Sequence, residues 1–287
     1  MLRCNLCPRG CNAERTPSEN IGGFCGMPSY PKIARADLHF WEEPCISGTN
    51  GSGTIFFSGC SLNCVYCQNY EISQNRKGRV ITPEQLAQIM RELESKGAHN
   101  INFVNPTHYF EAIKQALKIY HPNIPLVYNS GGYDLEENIN EDIFDIYLMD
   151  LKYVSSEKSA KYSCAKDYFE FASRAVKAAY NLRKTVIDPN GIMQSGVIVR
   201  HLVLPLATRE AIAVIDWFCE NTPDAYLSLM SQYVPCGKVE EFKELNRKIT
   251  KREYEKVLEH LYTKSIQNVF IQDYSSSSKK YIPDFNF

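Results

Sequence analysis

The chain of 287 residues has no apolar run approaching the ~20 residues that span a bilayer. Its opening residues, Met1-Leu-Arg-Cys-Asn5, lack the apolar core of a signal peptide. Charge of one sign is also missing: the net charge is -1 and the pI about 6.6, which leaves no electrostatic case for binding nucleic acid or an anionic membrane. No internal repeat of the solenoid kind is present. These absences predict a cytoplasmic protein with no nucleic-acid or membrane partner. The length allows one large α/β domain or two small ones, with a sizeable core. Cysteine, by contrast, is plentiful at eleven residues. In a reducing compartment that number points to metal sites rather than to a disulfide frame.

Three of these cysteines fall within Ser58-Gly-Cys60-Ser-Leu-Asn-Cys64-Val-Tyr-Cys67, a CxxxCxxC spacing. They directly follow Gly53-Thr-Ile-Phe-Phe57, which reads as a short buried strand. A loop leaving a strand end is where an α/β fold keeps its chemistry. Three thiolates this close suit a soft metal centre, above all an iron–sulfur cluster with one iron left open to a non-protein ligand. Packing cysteines would not need the spacing, a disulfide would strand one of the three, and zinc would need a fourth donor. A second group, Cys4-Asn-Leu-Cys7-Pro-Arg-Gly-Cys11 with Cys25 in a Gly-rich turn, suits zinc, a second cluster or free redox thiols.

Residues 28–52 contain proline and glycine and read as a covering loop in which Glu42 and Glu43 are solvated and Cys45 is inert. Thr82-Pro-Glu-Gln85 predicts a capped helix with an apolar stripe at Leu86, Ile89, Met90 and Leu93. Strands are then expected at 100–104, 125–128, 144–149, 196–204, 225–230 and 266–271. Helices are expected at 110–120, 156–183, 208–220 and, as a pair, 238–262. The tail Ser275-Ser-Ser-Ser278-Lys-Lys280 reads as turn-like and mobile.

About seven βα steps favour a parallel sheet, partly or nearly closed into a (β/α) barrel over residues 53–287, with a Cys-rich extension over 1–52. Residues just past each strand then converge on one face. They are Asn105, Thr107 and His108; Asn129, Ser130 and Asp134; Asp150 and Lys152; Arg200 and His201; and Gln232 and Tyr233. The two histidines are read as structural.

Cys60, Cys64 and Cys67, with Tyr66 before the last, resemble the signature of the radical S-adenosylmethionine (SAM) superfamily. The resemblance implies that the three cysteines hold a [4Fe–4S] cluster whose fourth iron is chelated by SAM. It further implies that one electron cleaves SAM to methionine and a 5′-deoxyadenosyl radical that abstracts hydrogen. Tyr66 would lie near the adenine, and Asn105, Thr107, Asn129, Asp134, Asp150 and Lys152 would line the SAM pocket. Asp150-Leu-Lys152, and Asp134 after Asn129-Ser-Gly-Gly, resemble the pyruvate formate-lyase activating enzyme and its relatives, as does the segment from Cys4 to Cys11 for a branch related to it. In that group the motif serves SAM and a monovalent cation, and the substrate is a glycine of a partner glycyl radical enzyme. An electron donor such as flavodoxin or ferredoxin is implied as a partner. The sequence departs from the group at Asn105-Pro-Thr-His108, which stands where a Gly-Gly-Glu is usual, and it has no clear late histidine. The alternatives are a radical SAM enzyme acting on a small molecule, and a non-catalytic zinc-binding interaction protein.

Overall fold

The computed structural model describes residues 2–276 and residue 285. Residues 277–280 of the expected mobile tail lie outside them. A three-stranded antiparallel ribbon opens the chain: β1 (Leu2–Cys4), β2 (Ala13–Arg15) and β3 (Asn20–Ile21). The main sheet has ten strands. Seven of them run parallel, in the order β5 (Ser52–Phe57), β7 (Ile101–Val104), β8 (Leu126–Ser130), β9 (Ile146–Asp150), β11 (Met193–Leu202), β12 (Tyr226–Met230) and β13 (Val269–Ile271). Beyond β5 the antiparallel β4 (Lys32–His39) and then β6 (Arg79–Val80) extend the sheet, while β10 (Val186–Ile187) pairs with β11. The strand order is linear among the described residues, so the sheet is open and the nearly closed barrel is not found.

The βα alternation of the sequence is realised closely. Helices α3 (Pro83–Ser95), α4 (Phe110–Ile119), α7 (Tyr168–Leu182) and α8 (Thr208–Asn221) follow β6, β7, β9 and β11. The capping box of α3 forms as expected, the Thr82 hydroxyl accepting from the Gln85 amide at 3.3 Å. The single helix expected at 156–183 is two, α6 (Ser156–Ser163) and α7, separated where Cys164 takes a left-handed conformation. The pair expected at 238–262 is a single 3-10 turn, Val239–Glu241, and then α9 (Lys251–Tyr262), capped by Thr250. Short helices α2 (Tyr70–Ser73) and α5 (Glu136–Ile139) lie in the connections. No described helix is long and apolar enough to cross a membrane.

Alternation along each strand divides the sheet into two unlike faces. Ile101, Phe103, Tyr128, Tyr147, Met149, Val197 and Val199 point into the large core beneath the helices. The opposite face carries a smaller apolar cluster of Val127, Ile146, Leu148, Met193 and Ile198 at one end, and polar side chains at the other. Residues 28–52 do not form a covering loop. They contribute β4, which pairs along β5, and α1 (Pro44–Ser47), which drives Cys45 and Ile46 into the smaller cluster. Asn100 fixes this plug by donating to the Ile46 carbonyl at 2.8 Å while accepting from Ser52 at 2.6 Å. Buried amides and carbonyls need such partners. Cys45 is buried, as an inert thiol would be, and burial pushes it up to about 12.

Ile46 has no exposed surface. Its replacement by alanine is expected to cost about 2–5 kcal/mol of stability, read by urea denaturation. A loss under about 0.5 kcal/mol, the range of surface substitutions, would show that α1 does not plug the sheet.

Candidate active site

The CxxxCxxC loop leaves the C-terminal end of β5 through Gly59, whose positive φ of 80° suits glycine. A side chain there would also meet Met27 at 2.2 Å. The loop is tied down from five directions. Arg9 donates to the Ser61 carbonyl at 2.7 Å, Gln74 to the Cys64 carbonyl at 2.7 Å, and the Cys236 thiol to the Tyr66 carbonyl at 3.2 Å. The Val65 amide donates to the Tyr162 carbonyl at 2.9 Å, and the Val65 carbonyl accepts from the Lys238 amide at 2.7 Å.

Each of the three thiols has its own polar neighbour. The Leu62 amide donates to Cys60 Sγ at 3.3 Å, the Ser163 hydroxyl to Cys64 Sγ at 3.0 Å, and Ser73 Oγ lies 3.2 Å from Cys67 Sγ. Burial raises all three thiols, Cys64 to about 11, while the Lys152 ammonium acts on each of them in the opposite sense. Hydrogen bonds to sulfur and a nearby cation are what iron-bound thiolates need, so this donor set fits a cluster. No three His, Cys, Asp or Glu side chains among the described residues form a single-ion site. The zinc reading of the central thiols therefore has no geometry behind it.

Asn105, at the end of β7 with a φ of 63°, stands beside this loop. Its side-chain amide donates to the Gly59 carbonyl, and its Oδ1 is 3.7 Å from Cys60 Sγ. Asp150 ends β9, Lys152 follows it, and the two form a 2.5 Å ion pair. The preceding turn makes room for them: Gly132, at a φ of 81°, would place a Cβ 2.1 Å from the Asp150 carbonyl oxygen. Tyr168 OH locks the two segments together, donating to the carbonyls of Gly131 (2.9 Å) and Asp150 (2.8 Å) and accepting from the Lys152 amide (2.9 Å).

From Asp150 a charged network continues across the polar face of the sheet. Arg200 on β11 donates to Asp150 Oδ1 at 2.8 Å, to Asn129 Oδ1 at 2.7 Å and to Glu42 Oε2 at 3.2 Å. Glu42 Oε1 also accepts from Asn129 at 3.0 Å and Asn102 at 3.2 Å. Glu42 and Glu43 are thus not solvated. Both carboxyls are raised by burial against the pull of Arg200, and Glu43 Oε2 is buried without a hydrogen-bond partner. Burial opposes ionisation of Asp150 too, but Arg200 and Lys152 outweigh it and hold its pKa below the usual range.

Other expected site residues are spent internally. Asp134 has no exposed surface and accepts from Thr107 at 2.6 Å, Tyr128 at 2.7 Å and Ser130 at 2.6 Å. Thr107 is buried with it. Tyr66 is buried, its hydroxyl 2.5 Å from that of Tyr153, which in turn lies 2.9 Å from the Ser163 hydroxyl that serves Cys64. Tyr233 is buried edge-on to Tyr66, and its hydroxyl donates to the Leu245 carbonyl at 2.7 Å. Gln232 reaches toward the end of β13, its Oε1 accepting from Gln272 at 3.2 Å. His108 and His201 are fully buried against the carbonyls of Ser58 (2.8 Å) and Leu151 (2.7 Å), and burial lowers both, His108 to about 3.

A model of the radical SAM superfamily matches residues 54–213. The chain belongs to that superfamily. Iron–sulfur and SAM chemistry follow from this membership. An uncharacterized protein of Methanocaldococcus jannaschii is 32% identical over 272 residues, 89% of this chain and 73% of that one. A 7-carboxy-7-deazaguanine synthase of Methanothermobacter thermautotrophicus is 28% identical over 100 residues, 34% of this chain and 40% of that one. Among solved structures, Streptococcus suis SuiB bound to S-adenosylmethionine matches with a TM-score of 0.52 at 15% identity. The match covers 75% of this chain and 48% of SuiB, so the chain spans about half of SuiB's length. The likeness is one of fold, an α/β architecture with a mostly parallel sheet.

Arg200→Met would leave the carboxyls of Asp150, Glu42 and Glu43 without their shared cation, an expected loss of about 3–5 kcal/mol. A carboxyl whose folded pKa is raised favours folding while protonated and loses that favour as pH climbs through the folded value. The deficit of the variant should therefore widen between about pH 5 and pH 8. Equal deficits at both, read by urea denaturation, would contradict the network.

Proposed function

We propose that the chain is an enzyme that uses Cys60, Cys64 and Cys67 to hold a [4Fe–4S] cluster and the strand ends beside them to hold SAM. The observation that carries this reading is the convergence of three thiols, Cys64 buried and Cys60 and Cys67 half-buried, with one ammonium, Lys152, whose field reaches all of them. The cluster would supply the single electron that cleaves SAM to methionine and a hydrogen-abstracting 5′-deoxyadenosyl radical, fed by an external donor such as flavodoxin or ferredoxin.

The chain's own residues bind and orient. In this reading Lys152 attracts the SAM carboxylate, the Asn105 side-chain oxygen and Asp150 accept from its ammonium, and Asn129 offers a hydrogen bond to the ribose. Thr107, Asp134 and Tyr66 act from behind, holding the β8 turn and the cysteine loop in shape. With three hydroxyls on its two oxygens, Asp134 is better suited to support than to a monovalent cation. Arg200, Glu42 and Glu43 lie one step further along the same polar face. Such a set of charges suits a small polar hydrogen donor. The activation of a glycyl radical enzyme rests on the Asp150-Leu-Lys152 resemblance, and a backbone glycine offers only amides to those charges.

Anaerobic reconstitution with iron and sulfide, followed by dithionite, should release 5′-deoxyadenosine from SAM, and Cys64→Ala should abolish the release. A well-formed cluster that leaves SAM intact would overturn the proposal. Lys152→Met should keep the cluster and weaken SAM binding roughly 10- to 100-fold, the worth of one charge-assisted contact. On the small-donor reading, the low-molecular-mass fraction of a cell extract stimulates 5′-deoxyadenosine release. Stimulation by the protein fraction alone would favour the glycyl radical partner.

A further inference from the structure

The free thiols Cys4, Cys7, Cys11 and Cys25 form no metal-holding group among the described residues. A charged groove begins beside the last of them, where Arg76 crowds the neighbouring Gly26. Its cavity of about 850 Å³ lies between the outer strands β4 and β6, helix α3 and residues 75–79 after α2. Six cations line it: Lys32, Arg35, Arg76, Lys77, Arg79 and Lys96. Among the described residues Glu92 is the only carboxylate in the lining. Asp37 pairs with Lys96 at 3.0 Å and with Arg35 at 3.8 Å, and Glu71 pairs with Lys77 at 2.6 Å. No carboxylate lies within ion-pair distance of Lys32, Arg76 or Arg79 among the described residues. On a chain with a net charge of -1 this is a local concentration of positive charge. Like charges held this close repel one another, a cost that an anionic partner removes.

The groove backs onto the cysteine loop. Cys67 Sγ lies 3.2 Å from Ser73 Oγ, and Asn75 follows two residues on, a span of at most ~7 Å. The Gly59 amide donates to the Ile72 carbonyl at 2.9 Å, and the Ser58 hydroxyl to the Lys77 carbonyl at 2.5 Å. Gly78 is packed so closely that a Cβ there would meet the Ile33 carbonyl oxygen at 2.5 Å and Ser58 Oγ at 2.6 Å. One wall of the groove is thus fastened to the root of the loop. Asn105, on the side proposed for SAM, adjoins Cys60, whereas the groove adjoins Cys67. The two approaches to the loop are separate.

We propose that this groove docks an acidic protein that carries single electrons, and that the electron enters the loop from the Cys67 side. The inference rests on the proposed iron–sulfur function, which needs an external reductant. The step moves one electron, oxidising the carrier and reducing the cluster, and no bond forms or breaks. Exposed apolar side chains flank the cations. Val80 follows Arg79 and is 43% exposed, and Phe24, 38% exposed, accepts on its carbonyl from Arg76 at 3.2 Å. Cations beside a few apolar contacts suit a fast, weak encounter whose rate is set by complementary charge. Nucleic acid is the poorer fit: no aromatic side chain among the described residues lines the groove to stack on bases.

The probe is an acidic flavodoxin, dye-labelled and oxidised, titrated by fluorescence anisotropy against the full chain with its cluster reconstituted anaerobically. Binding read in this way needs neither SAM nor turnover. Arg76→Glu together with Arg79→Glu should weaken it roughly tenfold or more. Arg252→Glu together with Lys256→Glu makes the same charge change on α9 and should alter it less than about twofold. Binding to the unaltered chain should fade between about 0.01 M and 1 M salt, as the screening length drops from about 30 Å to about 3 Å. With excess dithionite, which needs no docking, the groove variant should release as much 5′-deoxyadenosine as the unaltered chain, while release driven by reduced flavodoxin falls. No release from either chain with dithionite would count against the SAM chemistry and leave the binding data to decide the docking. Should the groove variant fail to fold, carbodiimide cross-linking of the unaltered pair decides: carboxylates of the carrier should link to Lys32, Lys77 or Lys96. The proposal is overturned if neither flavodoxin nor an acidic ferredoxin binds, if the groove and α9 variants lose binding equally, or if the cross-links form elsewhere. It is equally overturned if a single-stranded oligonucleotide binds the groove more tightly than either carrier.

Discussion

Arg200 is a guanidinium set in the middle of a parallel sheet, and much else follows from the need to satisfy it there. It faces Asp150 on β9 in direct register and reaches Asn129 on β8 and Glu42 on the plug segment. Because side chains alternate along a strand, a slip of one residue would turn the arginine into the apolar core under the helices. The cost of burying an unpaired charge there makes that register improbable. One ionic contact therefore fixes the relative positions of three strands and draws Glu42 inward. Asp150, held by Arg200 on one side, is left with its second oxygen for Lys152.

The cysteine loop shows the same economy of means. Its backbone is held by groups from the N-terminal ribbon, from α2, from the end of α6 and from the segment after β12. The chain of hydroxyls from Tyr66 through Tyr153 to Ser163 ends on Cys64 Sγ. Preorganisation of this kind lets a cofactor bind without the ordering cost of a mobile loop.

How much could be read from the sequence depended on how far apart the partners lie. The cysteine loop was legible because its chemistry is packed into eight consecutive residues. The strands after it were legible because each apolar run is short and followed by a helix-period stretch. β4 is hard to read from sequence: Lys32-Ile-Ala-Arg-Ala-Asp-Leu-His39 carries charges and follows a proline, and β6 covers only Lys32 and Ile33 on its outer side. Glu42 and Glu43 look solvated in the sequence because the cation that draws them inward lies far along the chain. A signal for it was present in Arg200 itself, a lone charge closing the apolar run Val197-Ile-Val199. Asp134 follows the Gly-Gly turn, and nothing in its local sequence announces that Thr107, Tyr128 and Ser130 occupy its oxygens.

The reach of the Glu42–Arg200 pair, 158 residues along the chain, also bears on how the protein folds. During synthesis the plug segment emerges well before β11 exists to receive it. Until then Glu42 and Glu43 have no cation to follow into the sheet, and α1 has only part of its apolar seat. Ile198 and Met193 of that seat lie on the same late strand. The floor of the site must therefore be set after the chain has passed residue 202, however early β4 and β5 have paired. Contacts this distant in sequence close slowly, because the loop between them has to be ordered first. A nascent chain stopped short of β11 would hold its cysteines in sequence but not the polar face that serves them.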